Sequence, residues 1–149
     1  MKTLKYVYSN NAFHPSSLDC SEYEAGLVVT YLVGENARDN HCIIDLADKK
    51  DMWVHLKNIP SCHVIVHVPS SEECEDHVST GNKRWYRDIL RKATRQGGIL
   101  CKQYSKNSLR SAGLSKGKVD IIAYSVGNVE KCAVPGQVFT HGDAITFSV

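Results

Sequence analysis

An α+β fold, with a mostly antiparallel sheet and two central helices, is predicted by three observations. Short β-branched stretches crowd the beginning and the end of the 149-residue chain. A helix-period pattern with a basic outer face occupies the middle, from 83 onward. Gly, Pro and Asn signals separate the closing strands, and strands first, helices next and strands last is the α+β order.

In chain order, LKYVYS (4–9) alternates weakly and GLVVTYLVG (26–34) is β-branched, so both read as strands. Between them lies an acidic, irregular segment, 10–25. ENARDNHCIIDLA (35–47) reads as a short helix with Ile43, Ile44 and Ala47 on its buried stripe. DMWVHL and SCHVIVHV form a hairpin joined by KNIPS, because Pro60 suits a loop and not a central strand. From 83 to 96, Trp85, Tyr86, Ile89, Leu90 and Ala93 fall within an arc of roughly 140°, with six basic residues on the other side. That face makes Trp85 and Tyr86 core residues. Gly97 and Gly98 are expected to end this helix and start another through about 109, carrying Lys102 and Lys106. KVDIIAYS (118–125), GQVFT (136–140) and AITFSV (144–149) close the chain as strands.

This length suits one domain, 1–149, with an ordinary hydrophobic core. The six cysteines are scattered without a C-x-x-C pair, which predicts reduced thiols in a cytoplasmic protein and no zinc knuckle. The opening residues lack the apolar core of a signal peptide, and no apolar run approaches spanning length, so no membrane is expected as a partner. The spacing of His, Cys, Asp and Glu matches no metal signature, and no cofactor motif is present.

Net charge is only +2, but its placement is uneven. Residues 83–118 hold eleven Lys and Arg against one acid, Asp88, a local balance of +10; the remaining seven basic and fifteen acidic residues leave −8. Such separation suggests a surface for a polyanion, because neutralising phosphates releases condensed counterions. Lys83, Arg84, Arg87, Arg91, Arg95, Lys102 and Lys106 are the candidate phosphate contacts. The plainer alternative is a solvated helix face. Against it, Arg87 and Arg91, then Arg91 and Arg95, repel at i, i+4 spacing, where a solvating face ordinarily alternates sign.

The hairpin puts His55 opposite His63 if its loop is 57–61, with Trp53 and His67 on the same face and Met52, Val54, Leu56, Cys62, Val64, Val66 and Val68 on the apolar face. Such a pair fits a structural role, contact with RNA through Trp53 stacking or imidazole hydrogen bonds, acid/base cleavage of RNA, or a metal site short of acidic ligands. Residue types alone leave these open.

Five stretches resemble the NFACT-R domain, the RNA-binding module of the NFACT proteins. GENARDN (34–40) resembles its G-[RK]-N-x-x-x-N element, DMWVHLKNIPSCHVIV (51–66) its D-x-W-x-H-x-K-x-x-P-G-S-H-V run, and QYSKNS (103–108) its Y-S-K-x-R region. VDIIAYSVGNVEK and PGQV resemble its V-x-V-x-Y-T-x-x-x-N-V-K-K and P-G-x-V elements. The matching positions are Gly34, Asn36, Asn40, Trp53, His55, Lys57, Pro60, His63, Tyr124, Asn128 and Lys131. Glu35 stands in place of the family's Arg or Lys, Ser61 and Cys62 replace its Gly-Ser, and 10–25 looks like an insertion.

The resemblance implies the stand-alone form of the family: a non-catalytic domain binding tRNA or ribosomal RNA, with the large ribosomal subunit as a partner in translation or ribosome quality control. Of the matching positions Lys57, His55, His63 and Asn36 join the candidate RNA contacts, and Arg38 is a further candidate beside them. Duplex DNA is a competing polyanion. The alternatives are a small RNA nuclease using His55 and His63, with or without metal, and a protein-protein adaptor docking through 10–25.

Overall fold

The computed structural model describes residues 1–9, 12–15, 27–69 and 83–149. Its strands are β1 (Lys2–Ser9), β2 (Ala12–Pro15), β3 (Leu27–Val33), β4 (Met52–Leu56), β5 (Val64–His67), β6 (Asp120–Ser125), β7 (Val129–Lys131), β8 (Val138–Thr140) and β9 (Ile145–Ser148). Its helices are α1 (Ala37–Leu46), α2 (Lys83–Gln103) and α3 (Lys106–Ser111). Seven strands make one antiparallel sheet in the order β2-β1-β3-β5-β4-β6-β9, and β7 and β8 form a separate ribbon. The α+β class and the mostly antiparallel sheet therefore hold.

The middle of the sheet is buried on both faces, because successive side chains of a strand point to opposite sides and each side is covered. Met52, Val54, Leu56, Val64 and Val66 pack with Ile89, Ala93 and Leu100 of α2. Trp53 and Ile65, one residue out of phase, pack instead with Ile43 and Ile44 of α1 and with Val126 and Val129. The hairpin register is the expected one: Met52 faces Val66 and Val54 faces Val64, which continues to His55 and His63. The turn closes at Asn58, whose φ of 61° is a left-handed conformation that asparagine tolerates.

Three expectations are corrected. The segment 10–25 is not wholly irregular, since residues 12–15 pair with β1 as an edge strand; the rest of it lies outside the described residues. A short ribbon strand, β7, follows directly on a single 3-10 turn at Val126–Asn128 where only a turn was expected. Above all, Gly97 and Gly98 do not break α2, which runs through them without interruption to Gln103.

The glycines serve approach, not termination. A Cβ on Gly97 would lie 2.6 Å from Val66 Cγ2, and one on Gly98 2.7 Å from Phe147 Cε2 and 3.2 Å from Ile121 Cγ1. Without side chains there, α2 lies directly on β4, β5 and β6. The contact is fastened from below by Tyr31, whose buried hydroxyl donates to Ala93 O at 3.0 Å. Helix propensity alone would make Gly97→Ala stabilising by about 1 kcal/mol. Crowding against a β-branched neighbour reverses the sign, so G97A is expected to lower unfolding free energy by roughly 1–2 kcal/mol net. A urea melt checks this, and a raised midpoint would refute the packing argument.

Candidate nucleic-acid interface

The basic row is built by the burial of the opposite helix face. Ile89 and Ala93 are buried and Trp85, Tyr86 and Leu90 pack on the core, which turns Arg84, Arg87, Arg91 and Arg95 outward, all exposed. At 100° per residue these four lie within an arc of about 80° and span about 16 Å of helix axis. Lys83 opens α2, but its side chain lies outside the described residues. Asp88 is engaged by Arg91 at 2.7 Å and by Lys92 at 3.1 Å, which holds its carboxyl below the usual range. Arg95 donates to Ser148 O at 3.0 Å. Among the described residues Arg84 and Arg87 make no ion pair, so the row is only partly neutralised. An exposed pair such as Arg91 with Asp88 contributes little and leaves the guanidinium accessible.

Further along α2 the basic residues diverge in role. Lys102 curls back, its ammonium donating to Gly117 O at 2.8 Å and Val149 O at 3.1 Å, and so fastens the chain's last strand to the helix. Lys106 is exposed at the start of α3 and lines a cleft of about 690 Å³. That cleft is where four separated stretches of sequence meet. Glu35, Asn36, Ala37 and Asn40 come from the start of α1, Pro60, Ser61 and Cys62 from the hairpin, residues 103–108 from the α2–α3 corner, and Pro135, Gly136 and Gln137 from the β7–β8 turn.

The polar residues around it are first of all structural. Asn36 caps α1, its Oδ1 accepting the Asp39 N–H at 2.9 Å. Asn40 is buried, and its Oδ1 accepts the His63 N–H at 3.1 Å, tying α1 to the hairpin. Gly34 makes room for it: a Cβ there would fall 2.0 Å from Asn40 Oδ1. Ser105, also buried, accepts the Cys62 N–H at 3.1 Å. Gly136, at φ +84°, sits where a Cβ would meet Ala37 at 2.9 Å, so only glycine lets this turn pack on α1. Glu35 brings a carboxylate to the rim, 3.8 Å from Lys2. Arg38 and Lys57 are exposed but outside the cleft lining.

The histidine pair is assembled as the register requires, with ring centroids 5.1 Å apart. The face they share is not open, however, because α1 covers it. Trp53 is 4% and His63 2% exposed, so the stacking expected of Trp53 has no surface to act through, and His63 has none for direct contact with RNA. The Trp53 indole N–H donates to His63 Nδ1 at 3.1 Å, which requires that nitrogen to be bare. Burial, with His55 and His41 nearby, pushes the His63 imidazole down to about 3. His55 is half-buried, stacks on Trp53 at 5.2 Å, and its Nδ1–H donates to Leu56 O at 2.6 Å; burial lowers its imidazole too.

A second histidine arrangement escaped the sequence reading. Asp48, Asp51 and His67 bring one ligand atom each within 4.8 Å of one another. Asp51 Oδ1 holds His67 Nδ1 at 2.7 Å, while Oδ2 accepts the Asp48 N–H at 2.9 Å. The acids come from the turn before β4. Extending the same register one step past Met52 and Val66 sets Asp51 across from His67, the signal that would have found the contact. Both oxygens of Asp51 are already in use, so the arrangement staples the α1–β4 turn to β5.

The comparisons with known proteins concern the fold. No family model matches the chain, and no curated protein matches it. The solved structure of the C-terminal part of the fibronectin/fibrinogen-binding protein from Streptococcus suis is similar over 87% of this chain, with a TM-score of 0.57 and 20% identity. The match spans 42% of that chain, and at this identity it shows a shared fold alone. Among the described residues no helix is long and apolar enough to cross a membrane.

A neutral buried His63 gives the fold a defined pH dependence. Below the unfolded value, about 6.5, the unfolded chain takes up a proton that the folded chain refuses until about 3, so stability falls as pH drops through that window. The slope per histidine is at most about 1.4 kcal/mol per pH unit. Thermal melts between pH 7 and pH 5 are expected to show this loss, with H63Q flattening the slope and leaving the part due to His55. An unchanged slope in H63Q would show that His63 titrates normally.

Proposed function

We propose that this domain binds structured RNA, tRNA or ribosomal RNA, without cleaving it, in a translation or ribosome-quality-control setting. The observation that carries the reading is the exposed row of Arg84, Arg87, Arg91 and Arg95, with one acid among them. A row of guanidiniums suits a phosphate backbone, because each offers paired N–H donors and keeps its charge at any physiological pH. Contacts of this kind position a ligand without reading its bases, which suits recognition by shape.

The cleft supports a second contact region. Its lining stretches are the ones that resemble NFACT-R, and Lys106, Gln103, Asn107 and Gln137 offer donors and acceptors at its wall. The nuclease alternative draws no support from the histidines. A general acid must be protonated and reach the leaving oxygen. His63 is enclosed and already accepts from Trp53, and both imidazoles are held on the neutral side by burial. Much of 10–25, on which the adaptor alternative rests, lies outside the described residues.

The test is electrostatic. Binding to labelled tRNA is expected to weaken steeply with salt, and R84E with R87E, two exposed residues whose replacement spares the core, should reduce affinity by about tenfold to a hundredfold and lower the log–log salt slope by about 2. RNA length should be unchanged with or without chelator. Salt-independent binding, or an unaltered slope in the double variant, would remove the phosphate row from the interface.

A further inference from the structure

Cys62 and Cys101 face one another, their sulfurs 3.9 Å apart. They come from different elements: Cys62 ends the hairpin loop and lines the cleft, whereas Cys101 is buried in the last turn of α2. The two backbones are already clasped around them. Cys62 N–H donates to Ser105 Oγ at 3.1 Å, Cys101 Sγ–H donates to Cys62 O at 3.4 Å, and Ser61 Oγ lies 3.6 Å from Cys101 Sγ. A disulfide needs its sulfurs about 2.05 Å apart, so closure asks the two sulfurs to approach by about 2 Å.

The two thiols are also unequal. The Ser105 hydroxyl donates to Cys62 Sγ at 3.3 Å, and hydrogen bonding with Cys101 and Ser105 favours the thiolate at Cys62. At Cys101 the same hydrogen bond and burial favour the protonated thiol. The sulfur nearer the cleft is thus the better nucleophile, and the enclosed one is held in reserve, the arrangement expected of a redox-sensitive pair with a resolving partner.

We propose that Cys62 and Cys101 form an oxidant-sensitive thiol pair, in which a peroxide entering the cleft is reduced at Cys62 and the pair then closes as a disulfide. The Cys62 thiolate attacks one peroxide oxygen, the O–O bond breaks, and the departing hydroxide takes up a proton as water, leaving Cys62 as sulfenic acid. The Cys101 sulfur then attacks the Cys62 sulfur. The S–O bond breaks, and hydroxide leaves with the Cys101 proton as a second water. Two thiols are oxidised by two electrons, and one peroxide becomes two waters. The closed bond ties the hairpin to α2 at the wall of the cleft and weakens the hydrogen bond from Ser105. Oxidation of the pair is independent of RNA binding, and its readout contains no RNA.

The experiment treats the full reduced chain with stoichiometric hydrogen peroxide, blocks remaining thiols with an alkylating agent after denaturation, and maps tryptic peptides by mass spectrometry. The expected product joins the peptide 58–83 to the peptide 96–102, lighter by two hydrogens than their sum and separated by dithiothreitol. Because Cys74 shares the first peptide, the link should persist in C74S and vanish in C62S and in C101S. C101A repeats the latter test should C101S fold poorly, and fragmentation of the wild-type product assigns the linked sulfurs directly. A link that survives in C62S, or Cys62 oxidised to sulfinic or sulfonic acid while Cys101 stays fully alkylated, would overturn the proposal.

Discussion

The separation at which α2 can lie against β4, β5 and β6 decides most of what this molecule presents to its surroundings. Two consecutive residues without side chains, Gly97 and Gly98, let the helix backbone rest on Val66, Ile121 and Phe147. With the helix that close, its apolar stripe is consumed by the sheet, its arginines have nowhere to point but outward, and its last turn delivers Cys101 and the α2–α3 corner to the hairpin loop. A side chain at position 97 would push the helix away from Val66 and loosen each of these placements together, because interiors packed to crystal-like density transmit strain.

That dependence explains which parts of the molecule were legible in the residues. Periodicity located the hairpin, its register and the buried stripe of α2, since alternation and the 3.6-residue repeat are properties of a single element. The glycine pair was misjudged because conformational freedom and close approach favour the same residue, and only the neighbour across the interface tells them apart. The covering of the histidine face was hidden for a related reason. Its alternation marked Trp53, His55 and His63 as one side of the sheet, but nothing in the hairpin says that Ile43 and Ile44 will land on that side. The stripe of α1 and the face it covers were each readable; their contact was not.

The cleft shows the same distinction at larger scale. Residues 34–40, 60–62, 103–108 and 135–137 are far apart in sequence and were recognisable only as separate motifs. Folding explains why each motif has its residues, and much of the reason is mechanical. Gly34 vacates space for Asn40, Asn40 holds His63, Ser105 holds Cys62, and Gly136 admits Ala37. A residue set can therefore mark a site by shaping its walls without touching a ligand. Asn36 illustrates the point, for its side-chain oxygen is spent on the helix cap while the residue still lines the opening.

Charge is partitioned by the same geometry. Lys102 and Arg95 donate to backbone carbonyls near the end of the chain, Lys92 reaches Tyr8 and Asp88, and Lys131 pairs with Asp45 at 2.7 Å, so part of the basic excess fastens elements to one another. Among the described residues of α2 and its junction with α3, Arg84 and Arg87 at one end and Lys106 just beyond the other make no ion pair. From Arg95 to Gln103 the helix advances about 12 Å, on top of the 16 Å of the arginine row. A mononucleotide is too small to meet both regions. Under the proposed function, a ligand that engaged both regions would carry negative charge over a comparable length, as a polynucleotide backbone does, and the uninterrupted α2 would fix most of the spacing between them.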